Sequence, residues 1–255
     1  MQKLATRPAK GVAHSIVSTL TKVERVQGRH RAFREIGRYM RLHLMSIYVM
    51  SEDAEEACRL RDAADEIAAG LDAVAAFEDV LAATIGFFRG AGREDHGSRD
   101  LLGEVSAEGG WLDGRQGQFF TPSSVSDLLM EFSSVGIHQA ITRKGWAGIL
   151  EPTAGTGALV LSADRIIRRR IRDAAEENVV YVANEINRSL ADICWVQLAL
   201  SEIPAIVICS DANELATRQD LWRRGTPSLG RFYSAHGTET TAEFVPDLVL
   251  ANPPF

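Results

Sequence analysis

The hydrophobic positions change their period partway along the chain. Over residues 31–51 apolar side chains recur at helical spacing (Phe33, Ile36, Tyr39, Met40, Leu44, Ile47, Tyr48), which predicts an amphipathic helix. Residues 52–70 continue as an Ala-rich helix that Gly70 ends or interrupts. Residues 71–88 repeat the spacing with Leu71, Val74, Phe77, Val80, Leu81, Ile85 and Phe88. Residues 1–28 hold no sustained period and read as a partly ordered arm. From residue 146 onward the pattern is different. Short apolar runs at 146–150, 179–183, 205–209 and 247–250 alternate with helical segments at 158–172 and 189–200. Such alternation predicts an α/β fold with a parallel sheet. The expected organisation is therefore a helical subdomain with a basic arm over 1–99, followed by an α/β domain over 100–255.

Between these parts the chain is punctuated. Residues 90–100 form a polar, Gly-rich loop, 100–105 a short helix candidate, and 108–116 a second Gly-rich connector. Then comes Phe119, Phe120, Thr121, Pro122. Thr121 suits a helix N-cap and Pro122 a first helical turn. Val125, Leu128, Leu129 and Phe132 give the helix that follows an apolar face. Residues 216–243 are polar and irregular, an excursion from the sheet.

The chemistry concentrates in the run Glu151, Pro152, Thr153, Ala154, Gly155, Thr156, Gly157, Ala158, Leu159. It reads as a strand end, a tight turn and a helix start. Two glycines allow sharp turning and close approach of backbone to a ligand. The helix N-terminus directs unpaired N–H groups into the turn. The dinucleotide fingerprint needs a third glycine three residues after the second, and Val160 stands there. A phosphate loop needs Gly-Lys-Ser/Thr, which is missing here. Glu151 would repel phosphate but could hold an ammonium group. S-adenosylmethionine carries an ammonium and a sulfonium and no phosphate. An ordinary strand-to-helix turn explains the same run equally well when it is read alone.

Composition narrows the class. With 45% hydrophobic and 24% charged residues, the 255-residue chain is an ordinary globular protein with room for one large domain or two small ones. No apolar run reaches membrane-spanning length, and the first residues lack a signal-peptide core. Cys58, Cys194 and Cys209 are few and lack metal-ligand spacing, so a reduced cytoplasmic setting is expected. The net charge of -6 does not advertise nucleic-acid binding. Its distribution is uneven: residues 1–45 carry Lys3, Arg7, Lys10, Lys22, Arg25, Arg29, Arg31, Arg34, Arg38 and Arg41 against Glu24 and Glu35. This basic arm could contact nucleic acid, pair with an acidic neighbour, or be a solvated helix face.

In parallel sheets, ligands sit beyond the carboxyl ends of the strands. The four expected strand ends present Glu151, Glu185, Asp211 and Asn252. One acid at a strand end is commonly a helix cap. Four polar ends in a row make a candidate site.

Taken together, Gln118, Phe119, Phe120, Thr121, Pro122, then Glu151 to Gly157, then Asn252, Pro253, Pro254, Phe255 resemble the N6-adenine DNA methyltransferases. The similarity is to the gamma arrangement of type I restriction-modification methylase subunits and phage adenine methylases, with cofactor motifs ahead of the tetrapeptide. It covers roughly residues 100–255. The resemblance implies a Rossmann-like S-adenosylmethionine-dependent methyltransferase sheet behind an α-helical subdomain. It implies a cofactor site of Phe120, Thr121, Glu151, Thr153, Gly155, Gly157, Glu185, Ile186, Asp211 and Ala212. Thr121 would bind the methionine carboxylate and Glu151 the ammonium. Glu185 would bind the ribose hydroxyls, Ile186 the adenine face and Asp211 the adenine amino group. Asn252, Pro253, Pro254 and Phe255 would be catalytic, with no metal required. Asn252 and Pro253 would accept from the target amine, and Phe255 would stack on a flipped adenine.

The resemblance also implies partners: DNA, and a specificity or other subunit. The family continues past the tetrapeptide with further strands and helices, so the chain is expected to be truncated after Asn252 to Phe255 or completed by a partner. It is then expected to bind cofactor but to methylate poorly alone. The alternatives are a catalytically incomplete methylase-like protein that binds DNA or a partner subunit, and a methyltransferase acting on protein or RNA. A dehydrogenase-type nucleotide binder loses on the glycine spacing and on Glu151.

Overall fold

The computed structural model describes residues 9–28, 30–90, 100–112, 123–170, 178–213, 226–227 and 246–251. The chain divides into two compact units. One comprises Met1–Gly92 with Leu101–Leu112, the other Arg93–Asp100 with Asp113–Phe255. The short helix candidate after residue 100 thus groups with the helical part.

The first unit is all helical: α1 (Ala9–Gln27), α2 (Arg31–Val49), α3 (Ala54–Ala69), α4 (Val74–Gly90) and α5 (Leu101–Glu108). Helix α1 corrects the expectation of a partly ordered arm over residues 1–28. Its buried stripe is only Ala13, Ile16 and Leu20, set among polar residues, and α2, α4 and α5 supply the surface that covers it. A stripe this narrow carries little periodic signal, because tertiary packing rather than propensity stabilises the helix. Helix α3 starts at Asp53, whose side chain accepts from the Glu56 N–H at 2.9 Å. That cap satisfies one orphan donor of the first turn. In the core Phe33 stacks on Trp111 at 4.8 Å between centroids, and Tyr39 meets Phe77 edge-on at 5.2 Å. The Trp111 indole N–H donates to Glu24 at 3.0 Å, so the aromatic is buried without an orphaned donor. Along α2 the exposed positions include Arg31, Arg34 and Arg38, spaced to share one face.

The second unit holds α6 (Ser123–Lys144), β1 (Ala147–Glu151), α7 (Ala158–Arg170), β2 (Val179–Asn184), α8 (Arg188–Leu200), β3 (Ala205–Ile208), β4 (Thr226–Pro227) and β5 (Leu248–Val249). The sheet order is β4-β3-β2-β1-β5. Strands β1, β2, β3 and β5 are parallel, with Ala147 opposite Val179, Tyr181 opposite Ala205 and Ile149 opposite Leu248. This matches the expected parallel sheet. The short β4 adds an antiparallel pair to β3 within the stretch expected to be irregular. Strand β2 is buried at every position, as a strand covered on both faces must be. Helix α8, which packs on β3, is buried from Leu190 through Ala199.

Helix α6 uses a different face from the one expected. Ser126, Met130, Ile137 and Ala140 are buried, whereas Val125, Leu128 and Phe132 are exposed, Phe132 at 78%. Leu129 lies outside the described side chains. The apolar positions of α6 therefore fall on two faces, and only contact with α7, β1 and β5 selects the packed one. At the edge, Asp247 fastens β5 to β1. Its carboxylate accepts from the Gly148 N–H and from Lys144, both at 2.8 Å. The Asp247 N–H donates to Gly148 O and the Leu250 N–H to Leu150 O, each at 2.8 Å.

Chain order runs from β1 through β2 to β3 on one side, then returns to place β5 on the other side of β1. The order thus reverses at β1. Open α/β sheets bind ligands at such a reversal, beyond the carboxyl ends of the strands.

Candidate functional site

Glu151 is the last residue of β1 and is 0% exposed. The strand carries it inward, and the turn that follows folds over it. One carboxylate oxygen accepts from the Thr153 N–H at 3.1 Å and from the Thr153 hydroxyl at 3.2 Å. The other, Oε2, is buried with no hydrogen-bond partner among the described residues. Burial pushes the Glu151 carboxyl up to about 8. The two Thr153 bonds pull it down and the Glu185 charge pushes it further up. A buried carboxylate oxygen left unpaired is costly unless a cation meets it or a proton neutralises it.

The turn after Glu151 is closed by its own backbone. The Gly157 N–H donates to Ala154 O at 2.8 Å, and the Leu161 N–H to Gly157 O at 2.9 Å as α7 begins. Gly155 has φ 56 and Gly157 φ 97, the left-handed region that favours glycine. A Cβ on Gly157 would lie 3.1 Å from Cys194 Sγ on α8. Glycine at 157 is thus required by backbone conformation and by space.

Glu185 follows β2 and leans onto this turn. Its Oε2 accepts from the Gly155 N–H and its Oε1 from the Asn187 N–H, both at 2.8 Å. Burial raises the Glu185 carboxyl, against the lowering effect of bonds from the Asn187, Gly155 and Ile186 backbone. Three backbone bonds on a carboxylate with about four acceptor positions leave room for a ligand hydroxyl. Ile186, next in sequence, is 67% exposed. An apolar side chain held out at a strand end is available to lie on a flat ring. Asp211, after β3, is exposed and accepts from the Asn213 N–H at 2.8 Å, the local turn of a capping residue. Ala212 is half-buried in the same turn.

The structure thus places Glu151, Thr153, Gly155, Gly157 and Glu185 in and beside one turn at the carboxyl ends of β1 and β2, with Glu151 bonded to Thr153 and Glu185 to Gly155. Ile186 follows directly, and Asp211 and Ala212 stand beyond β3. Phe120 and Thr121 lie outside the described residues. So do Asn252, Pro253, Pro254 and Phe255, which follow Ala251 just past β5.

Three polar residues escaped the sequence reading. Asn184, the last residue of β2, donates to Pro152 O and to Ser210 O, each at 3.0 Å. It also accepts from the Ser210 hydroxyl at 2.7 Å. One buried amide therefore ties together the loops after β1 and β3. Asp100 and Gln197 do the same beneath the glycine turn, where both meet Thr156. An amide adjoining an acid at a strand end, as in Asn184 and Glu185, was the one available signal. Nothing local marked Asp100 or Gln197.

A mostly parallel sheet with an order reversal, a glycine turn and buried acids at its strand ends defines a Rossmann-like α/β protein. The family follows from sequence comparison. A family model described as N-6 DNA methylase matches residues 108–255, more than half of the chain. The chain belongs to the N-6 DNA methylase family. No curated protein matches significantly. Among solved structures, the chain is similar to one described as a class I S-adenosylmethionine-dependent methyltransferase from Listeria monocytogenes. The identity is 14% and the TM-score 0.46, over 80% of this chain and 54% of that one. It is also similar to the type I restriction-modification system methyltransferase subunit from Streptococcus thermophilus. There the identity is 14% and the TM-score 0.37, over 78% of this chain and 57% of that one. The chain spans just over half the length of either protein.

Proposed function

We propose that this chain binds S-adenosylmethionine at the ends of β1, β2 and β3 and serves the methylation of the N6 amino group of adenine in DNA. The observation that carries the reading is the buried Oε2 of Glu151 beside the glycine turn, unpartnered among the described residues, in a member of the N-6 DNA methylase family. When bound, the cofactor supplies an electrophilic methyl group on its sulfonium. Glu151 then receives the methionine ammonium, which replaces the missing partner and keeps the carboxyl ionised. Thr121, with Phe120 before it in sequence, would hydrogen-bond the methionine carboxylate. Thr153, Gly155 and Gly157 present backbone at close range. Glu185 accepts the ribose hydroxyls through its remaining lone pairs. Ile186 packs on the cofactor's adenine, and Asp211 and Ala212 border its amino edge.

The target amine is a poor nucleophile because its lone pair is delocalised into the purine. The Asn252 side-chain oxygen and the Pro253 carbonyl would accept hydrogen bonds from its two N–H groups and stabilise the positive charge that develops on nitrogen. Pro253 and Pro254 restrict the backbone that carries these acceptors. Phe255 offers the ring on which an extruded adenine stacks. Exposed Arg31, Arg34 and Arg38 on α2 suit the phosphate backbone of the same substrate. A specificity or other subunit, and a cytoplasmic setting, belong to the same proposal. No helix among the described residues is long and apolar enough to cross a membrane.

Calorimetric titration with S-adenosylmethionine tests the cofactor half of the reading, with Glu185→Ala as control. Saturable binding that is lost in the control is expected, and no binding to the unaltered chain would refute it. Transfer of labelled methyl to duplex DNA, measured with and without a candidate partner subunit, tests the rest. Label found on protein or RNA instead would refute it.

A further inference from the structure

We propose that Asp100 is a positioning residue for the glycine turn, holding it through Thr156 and Gln197 in the one conformation that receives the cofactor. The inference rests on the cofactor reading above and adds a residue from outside the row of strand ends.

Asp100 Oδ2 accepts from the Thr156 hydroxyl and Oδ1 from Gln197 Nε2, both at 2.7 Å. Gln197 Nε2 also donates to Thr156 O at 2.8 Å. Both amide hydrogens of Gln197 are therefore used. Thr156 is gripped twice, by its side chain and by its backbone. Gln197 is 0% exposed and Thr156 8% exposed, so water offers these groups little substitute. Gln197 lies on α8 within its run of buried residues, Leu190 through Ala199. An amide in such surroundings is tolerated only when bonded, and its amide group bonds to the turn and to Asp100.

Thr156 sits between two glycines of positive φ. A glycine pair has several accessible conformations, and nothing in its own side chains chooses among them. From β2, the Glu185 carboxylate holds the Gly155 N–H at 2.8 Å. Asp100 and Gln197 hold the next residue. Two carboxylates on separate segments thus fix consecutive residues of one turn. When the turn samples other conformations, only the competent fraction binds, and the apparent Kd rises in inverse proportion to that fraction.

The test uses the full chain, S-adenosylmethionine calorimetry and hydrogen exchange of the peptide covering residues 153–158. Asp100→Ala is expected to weaken the cofactor about tenfold and to speed exchange of those amides about tenfold. Asp100→Asn is expected to restore both to within about threefold. Its amide can accept from Gln197 while donating to the Thr156 hydroxyl, which has lone pairs to spare. Thr156→Val removes the hydroxyl alone and serves if Asp100→Ala fails to fold; faster exchange at the turn is expected there too. Unchanged exchange in Asp100→Ala, or in Thr156→Val should it be needed, overturns the proposal. So does Asp100→Asn behaving as badly as Asp100→Ala, because geometry would then not be the cause. If the unaltered chain fails to bind S-adenosylmethionine, the cofactor reading falls. The exchange measurements still decide whether Asp100 positions the turn.

Discussion

Glu151 makes the sharpest prediction, because its charge and the cofactor's charge must appear together. With burial holding its carboxyl up to about 8, the group is roughly 10% ionised at pH 7. Binding an ammonium against Oε2 requires the carboxylate. At pH 7 the empty protein must therefore give up a proton, at about 1.4 kcal/mol. Between pH 6 and 7.5 the Kd for S-adenosylmethionine should fall about tenfold per pH unit. Nearer pH 8 the cofactor's own α-amino group begins to titrate, and the gain should level off. Calorimetry at pH 7 in two buffers of different protonation enthalpy should read about 0.9 proton released per cofactor bound. In Glu151→Gln the side chain still accepts from Thr153 but carries no charge. Its Kd should rise about 100-fold, the order expected when one partner of a buried ion pair is removed, and its pH slope should vanish.

Stability should move the other way. A carboxyl whose folded pKa lies above its unfolded value of 4.5 keeps its proton in the fold. The contribution of Glu151 is full below about pH 4.5 and is lost as pH rises to about 8. Glu151→Gln escapes that loss, so without cofactor it should be the more stable protein at pH 8, by at most about 4–5 kcal/mol. A flat Kd between pH 6 and 7.5 with no proton release would refute the reasoning, as would Glu151→Gln binding as tightly as the unaltered chain.

Gly157→Ala forces a Cβ into left-handed backbone 3.1 Å from Cys194 Sγ; it should cost about 1–3 kcal/mol in denaturant melts and abolish cofactor binding. Asp247→Ala removes the acceptor that Gly148 and Lys144 share, and should cost about 1–3 kcal/mol by thermal melting. Burial works to raise the Asp247 carboxyl, but bonds from Lys144 and Gly148 and the Lys144 and Arg143 charges outweigh it. Its support is therefore present above the usual carboxylate range and lost as pH falls through the lowered value, and Asp247→Ala should be insensitive there. Reversing Arg31, Arg34 and Arg38 to Glu should weaken DNA binding uniformly across sequences and flatten its salt dependence; an unchanged salt slope would remove α2 from the interface. Trp111→Ala should unfold the helical unit more readily by about 3–5 kcal/mol, measured by near-ultraviolet circular dichroism, because both its stacking on Phe33 and its bond to Glu24 disappear.

The strands and the glycine turn could be read directly from the chain because their signals are local. A buried parallel strand needs a continuous apolar run, as at Val179 to Ala183, and a left-handed turn needs glycine, as at 155 and 157. The acids at the strand ends were legible for the same reason, since they adjoin those runs. The family likewise followed from short motifs, whose residue types the chemistry dictates one by one. What the residues alone did not reveal depends on surfaces brought together from far apart. Ala13, Ile16 and Leu20 make a helix only because α2, α4 and α5 cover them. Val125, Leu128 and Phe132 look like a core face until α7 and the sheet bury the other side of α6. The bonds of Asp100 to Thr156 and Gln197 span 56 and 97 residues of sequence. No periodicity encodes them, because a buried polar group finds its partner through the packing of the whole unit. The sequence by itself determined which residues can turn, cross the core or carry charge. Tertiary structure alone decided which face is buried, which carboxylate is left without a partner, and which distant side chains hold the turn in place.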